Sequence, residues 1–284
     1  MASIDPFRTP ASGDPRSTPT PPSLGISAGK LNLVRIIKFV FESPQWIANV
    51  VWMSLGFLFS GMVVGMLAIL GYQMDIVIAE NGRVPRRYPD FDVNRIGDYL
   101  LRGLWVWLAM LVVSIVIGFL LLPFFIILLV VILVLTGDEP NRQQAGMGII
   151  VGIASGMIGL VGNALIMAVA APIALRVGLT GNFADCLEWR WHLDFIRRTF
   201  WSLIGGTLFF IPLIAMYLLL GSVLCCVGII PAIGWFYLSQ AQFYSQLYGI
   251  YLQRGGTPIP IVPIGEQRFP NVPQPTSPNS RLFP

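Results

Sequence analysis

Charge is scarce in this chain, and its absences are grouped. Asp, Glu, Lys and Arg make up 11% of the 284 residues, against about 25% in soluble domains. Thr199 to Gln253 holds no charged residue and no histidine, Leu104 to Thr136 and Gln144 to Leu175 hold none, and Trp46 to Ala79 holds only Asp75. Every one of these runs exceeds the ~20 apolar residues that cross a bilayer. A sizeable water-soluble domain is excluded, and an all-α integral membrane protein is predicted, a polytopic helical bundle.

Residues that carry chemistry are also few. The single histidine, His192, has no second histidine or nearby cysteine to share a metal. The three cysteines form no Cys-x-x-Cys pair and no disulfide framework. Cys225 and Cys226 read as small apolar residues filling a helix end, and a strained redox pair is the alternative. No phosphate loop, His-Glu-x-x-His or Gly-x-Ser-x-Gly occurs. The expectation is a chain with no catalytic, cofactor-binding or metal site, and not an enzyme. A net charge of +4 does not point to nucleic acid, because the basic residues sit beside apolar runs and form no long cluster.

Proline is plentiful at both ends. Six of the 22 prolines lie in residues 1–28 and eight in residues 255–284, with few apolar side chains to repay ordering. Both tails are predicted to be disordered, leaving residues 29–254 as the membrane domain. Residues 1–29 lack a continuous apolar core, so no cleavable signal peptide is expected and the first span directs insertion. Within Lys30 to Glu42, the residues Asn32, Arg35, Lys38 and Glu42 form a narrow polar stripe among Leu, Val, Ile and Phe. This predicts a helix lying in the headgroup region, broken by Pro44.

Charge counting decides topology. The 18 Lys and Arg residues fall as five before Pro44, five between Glu80 and Gly103, one at Arg142, four from Arg176 to Arg198 and three from Arg254 onward. If Trp46 to Ala79 is a hairpin of two short helices, all but Arg142 share one face, which places both termini in the cytoplasm. A single crossing would divide them twelve against six. Six membrane segments in three hairpins, with interfacial helices, are therefore predicted for the cytoplasmic membrane. Gly56 and the Gly61/Gly65 pair suit a tight turn between short arms, and Pro123 is expected to kink or break the long third segment. Asp138 and Glu139 mark an outer loop, and the later spans are Gln144 to Leu175, Thr199 to Leu220 and Val227 to Leu252.

Several intramembrane residues are candidates for function or for packing. Ser239, Gln242, Gln246, Gly249 and Gln253 recur at steps of three and four along one face of the last span, with Asn163 and Ser155 of the fourth span as partners. Such a face turns inward, either to hydrogen-bond neighbouring helices, the preferred reading, or to line a path for a polar solute. Gly148, Gly152 and Gly156 form a doubled Gly-x-x-x-Gly suited to close helix packing, within the chain rather than between copies. Asp75 and Arg176 are the charges nearest the hydrocarbon, read as interfacial anchors that pair with each other across two helices. In Tyr88-Pro-Asp-Phe-Asp92, Asp92 is expected to cap a helix near Val93, while Tyr88 and Phe91 rest on the interface. Leu187 to Phe195 alternates with a period of two, which fits an extended stretch as well as a helix.

Gly71-Tyr72, Asn81-Gly82, Pro89-Asp-Phe-Asp92, Gly103-Leu104, Ala171-Pro172 and Leu247-Tyr-Gly-x-Tyr251, in that order, resemble the prokaryotic membrane family called domain of unknown function 4013, over roughly residues 46–251. The resemblance implies a multi-pass bundle and supplies no catalytic residues. The chain departs from that pattern at Pro85-Arg-Arg-Tyr88 and in its long tails. The reading is a non-enzymatic accessory or assembly component whose partners are the lipid bilayer and other membrane or cytoplasmic proteins, with no nucleic acid. The alternative is a transporter or channel for a small polar or lipid-like solute.

Overall fold

The computed structural model describes residues 30–82, 88–136, 152, 156, 162, 166–223 and 228–262. Asp138, Glu139, Cys225, Cys226, Asn163, Ser155, Gly148, residues 83–87, residues 1–29 and residues 263–284 lie outside the described residues. Among those described, the secondary structure is helical: α1 (Leu33–Lys38), α2 (Trp46–Leu58), α3 (Val64–Asn81), α4 (Ile96–Thr136), α5 (Ile166–Thr180), α6 (Trp189–Val223) and α7 (Ile229–Gln253), with short 3₁₀ turns between several of them.

Local chemistry explains the helix ends. The Asn32 side chain accepts from the Arg35 amide at 3.0 Å and caps α1. Ser43, held extended by the proline that follows, separates the 3₁₀ turn Phe39–Glu42 from α2. Trp46 to Ala79 is a helical hairpin, α2 and α3, as expected. Its arms touch at Gly56 and Gly65, where a Cβ on Gly65 would collide with the Gly56 carbonyl. Gly61 has open space around it and takes no part in that contact. The turn instead places Val63 at φ +64°, a conformation β-branched residues rarely adopt. The 13 residues of α2 reach only about 20 Å.

α4 and α6 run without interruption through Pro123 and Pro212. Of the kink or break expected at Pro123, the break does not occur: the helix continues from Ile96 to Thr136, since a proline removes a single intrahelical bond. The Leu187 to Phe195 ambiguity resolves into a 3₁₀ turn ending at Leu187 and helix from Trp189.

Two helical stretches, Val93–Val131 and Trp189–Val223, are long and apolar enough to cross a membrane, while α2 and α5 are shorter apolar helices. Only 6% of the most apolar window of the first is buried, and 31% of the second. Neither is enclosed as the core helix of a soluble domain would be. Phe119, Leu120, Leu208 and Leu219 are exposed, whereas Gln73, Asp75, Arg102, Gln242 and Gln246 are buried. That is the distribution lipid solvent favours, since a polar group facing hydrocarbon finds no partner.

α3 and α7 form the centre. They run parallel, with Gln73 beside Tyr237 and Asn81 beside Ser245. α4 packs antiparallel on α3, since Gly71 faces Tyr99 and Gly103 faces Leu67. α6 packs antiparallel on α7, with Asp194 near Tyr251 and Tyr217 near Ser239. One core joins Met74, Val106, Ala174, Phe195 and Leu247 across α3 to α7, and a second joins Phe39, Met53, Ile69, Tyr99 and Leu238.

The ordered body continues beyond residue 254. Gly255, at φ +76°, turns the chain at the end of α7, and residues 256–262 run back along the helices. The Thr257 and Ile259 amides donate to the Tyr251 and Tyr248 hydroxyls at 3.0 and 2.9 Å, and the Trp191 indole donates to the Thr257 carbonyl at 3.2 Å. The Val262 amide donates to the Leu179 carbonyl at 3.0 Å. These bonds order residues 255–262, which proline content alone assigned to a disordered tail.

Candidate functional site

The polar face of α7 meets protein along much of its length. Ser239 lies 3.2 Å from the Tyr217 hydroxyl of α6. Gln246 accepts from the Asn32 amide at 2.8 Å and donates to the Asn32 carbonyl at 3.2 Å, gripping the backbone that leads into α1. Gln242, with its amide oriented as its neighbours require, donates to Glu80 Oε2 at 2.8 Å and Oε1 at 3.2 Å. Gln253 is exposed at the end of the helix. Asn163, expected as a partner of this face, lies outside the described residues.

Glu80 is the node of this face. Its carboxylate accepts from Arg35 Nη2 at 2.8 Å and from Ser245 Oγ at 2.5 Å, in addition to Gln242. Asn81 donates to Ser245 Oγ at 2.8 Å. Three helices, α1, α3 and α7, thus share one set of charge-assisted bonds. The polar stripe predicted to bathe α1 in headgroups turns inward at Asn32 and Arg35, while Leu33 and Val34 are exposed. Farther along the α3/α7 contact, Gln73 donates to the Tyr237 carbonyl at 2.9 Å and to Gln240 Oε1 at 3.2 Å.

A second network pins the segment before α4. The buried Asn49 amide donates to Asp90 Oδ1 at 3.0 Å and Ser43 Oγ at 3.2 Å, and accepts from the Phe91 amide at 2.9 Å. Ser43 also donates to Asp90. Tyr72 donates to the Pro89 carbonyl at 2.9 Å. Asp92 caps the turn that opens α4, accepting from Asn94, as expected. Tyr88 and Phe91 do not simply rest on an interface: Tyr88 packs on Phe39, and Phe91 sits among Trp52, Tyr72 and Tyr99. Burial pushes the Tyr88 hydroxyl well above its ordinary pKa, so it stays protonated. In the loop before α6, burial and then the neighbouring Asp185 charge raise the Cys186 thiol, which disfavours a reactive thiolate there.

Asp75 and Arg176 do not pair with each other. Asp75 accepts from Arg95 at 3.1 Å, beside the Tyr99 hydroxyl. Arg176 pairs with Glu188 and stacks over Trp191 at 5.1 Å. The reason is position: α4 lies against α3 opposite Asp75, so Arg95 is nearer. Arg102, fully buried, has no ion pair among the described residues; it donates to the carbonyls of Gly178 and Val262 at 2.6 and 2.7 Å and of Leu179 at 3.3 Å, sealing the end of α5. His192 lies 3.0 Å from the Cys186 carbonyl. Among the described residues no three His, Cys, Asp or Glu gather as a metal site.

A Cβ on Gly152 or Gly156 meets no described atom within 4 Å, and Gly148 lies outside the described residues. Close backbone contact occurs instead at Gly71 and Gly103, where a Cβ would overlap the Tyr99 and Leu67 carbonyls. Sequence reasoning missed Glu80, Asn49, Gln73 and Arg102. Asn49 and Gln73 were legible as isolated polar residues in an apolar run; Glu80 and Arg102 stood at run ends and looked like ordinary loop charges.

The family model for a protein of unknown function, DUF4013, matches residues 54–236, more than half of the chain. The chain belongs to the DUF4013 family. The match runs from within α2 to within α7, so α1, the Gln242 to Gln246 face and the 255–262 strap of this DUF4013 protein lie beyond it. No curated protein and no solved structure matches the chain.

Proposed function

We propose that this DUF4013 protein is a non-enzymatic, multi-pass component of the cytoplasmic membrane, with six membrane segments in three hairpins, both termini cytoplasmic, and an accessory or assembly role. The observation that carries this reading is the occupancy of the α7 polar face. Ser239, Gln242 and Gln246 spend their hydrogen bonds on Tyr217, Glu80 and Asn32. A solute path needs such groups turned toward water or cargo, whereas a packed scaffold needs them turned toward neighbouring helices. The cavity near this face, about 190 Å³ between α5, α6 and α7, is lined by Met167, Phe210, Ile211, Ile214, Phe236 and Phe243, with Thr207 and Gln240 as its two polar side chains. Its largely apolar lining offers little to a polar cargo. The charge distribution of the loops supports the six-segment topology.

The test is Gln242→Leu with Gln246→Leu. A scaffold role predicts lost folded yield in the membrane, with α1 more open to protease. A stable variant with altered solute flux would replace this reading with the transporter. Reporter fusions after Ala79, Asp138, Asp185 and the C-terminus test the topology: only the Asp138 fusion should report the exterior, and an exterior signal after Ala79 would reduce the first hairpin to one crossing.

A further inference from the structure

We propose that the first turns of α6 form a docking face for the phosphate headgroups of anionic lipid, made by Trp189, Arg190, Leu193, Arg197, Phe200 and Trp201. This rests on the reading that α6 spans the membrane. On a helical wheel of 100° per residue these six fall within about 120° of one another. The opposite side of the same turns carries Trp191, His192, Phe195, Thr199, Ser202 and Leu203, all buried. The outward arc is bare: Trp189 is 62% exposed, Leu193 55% and Trp201 77%.

Its charge is of one sign. Arg35, Arg95, Arg176 and Arg198 each hold a carboxylate of this chain. Arg190 and Arg197 have no ion pair among the described residues, and Arg190 stacks over Trp189 at 5.7 Å. The two acids nearest in sequence are already engaged, Glu188 by Arg176 and Asp194 by Arg198 and Tyr251. Arg190 and Arg197 lie two turns apart on one side, about 10 Å along the axis.

Lipid fits this face better than a protein partner because the arc continues without a step. Leu208, Ile211 and Leu219 fall on the same side of α6 and are exposed within the charge-free run that begins at Thr199. Trp belongs where a helix leaves hydrocarbon, and Arg reaches outward from there to phosphate. A leaflet with anionic headgroups supplies the missing countercharge.

The experiment uses the full chain in vesicles of phosphatidylcholine containing spin-labelled phosphatidylglycerol or spin-labelled phosphatidylcholine, and reads the relative association of each lipid with the protein. The native chain should favour phosphatidylglycerol. Arg190→Gln or Arg197→Gln should each reduce that preference roughly fivefold at the sites concerned, the equivalent of about 1 kcal/mol per arginine, and the double variant should abolish it. Arg281→Gln, in the C-terminal tail, should leave it unchanged. An equal preference in the native chain and the double variant overturns the proposal, as does no preference in the native chain. Leu193→Cys, treated with a maleimide and followed by peptide mass spectrometry, tests the other occupant: modification blocked in cell membranes but not in vesicles assigns the face to a protein and also overturns it. Failure of the chain to resist alkaline extraction from vesicles would instead remove the spanning reading itself.

Discussion

Arg35 of α1 donates to Glu80 at the end of α3 across 2.8 Å, so a helix of six residues is tied to the central pair of the bundle by a charged bond. Ser245 and Gln242 complete the carboxylate from α7. A helix this short has little stability of its own, and its place in the fold comes from that tie and from the Gln246 grip on Asn32.

Arg35→Ala should therefore destabilise the protein by about 1–3 kcal/mol, because a largely buried carboxylate loses its charged donor. Glu80→Gln should be milder, and Arg35→Ala combined with Glu80→Gln should be less damaging than Arg35→Ala alone. Thermal unfolding in detergent measures all three. Independent, additive effects of the two substitutions would show that the pair is not coupled.

Gly71→Ala and Gly103→Ala should each cost about 1–3 kcal/mol or prevent folding, since the added methyl meets a backbone carbonyl that cannot swing aside. Gly97→Ala and Gly205→Ala have open space and serve as controls. Size-exclusion profiles of the four variants give the comparison, and equal behaviour would contradict the α3/α4 contact.

Asn49→Ala should release the 88–92 segment. The substitution removes donors to Asp90 and Ser43 and the acceptor for the Phe91 amide. Limited proteolysis should then cut between Tyr88 and Phe91 faster than in the native chain, while Asp92→Ala, which loses only the cap to Asn94, should leave that segment protected.

Arg102→Met and a chain ending at Gly256 should share one defect. Both remove the bond from Arg102 to Val262, and the truncation also removes the amides held by Tyr248 and Tyr251. Combining them should cost less than the sum, which thermal unfolding reads directly. Arg102→Lys should not rescue, because one ammonium cannot reproduce the planar fork that reaches carbonyls on α5 and on the strap.

Composition and charge placement by themselves determined the helical class, the apolar runs, the α2/α3 hairpin and the inward-facing residues of α7. Those features follow from solvation, and solvation is written locally: a run without charge has few environments open to it, and a periodic polar face in such a run must find partners. The order of short motifs likewise points to the DUF4013 family.

Only the tertiary structure decided who those partners are. Asp75 takes Arg95 rather than Arg176 because α4 packs on α3 there. Besides Gly56 and Gly65 in the first hairpin, close contact falls on Gly71 and Gly103, which stand on two different helices and show no Gly-x-x-x-Gly spacing within either. Residues 256–262 are ordered because Tyr248, Tyr251, Trp191 and Arg102 converge on their backbone. Spacing along one helix encodes direction, but a bond between helices depends on how two directions meet, and that is set by packing across the whole bundle.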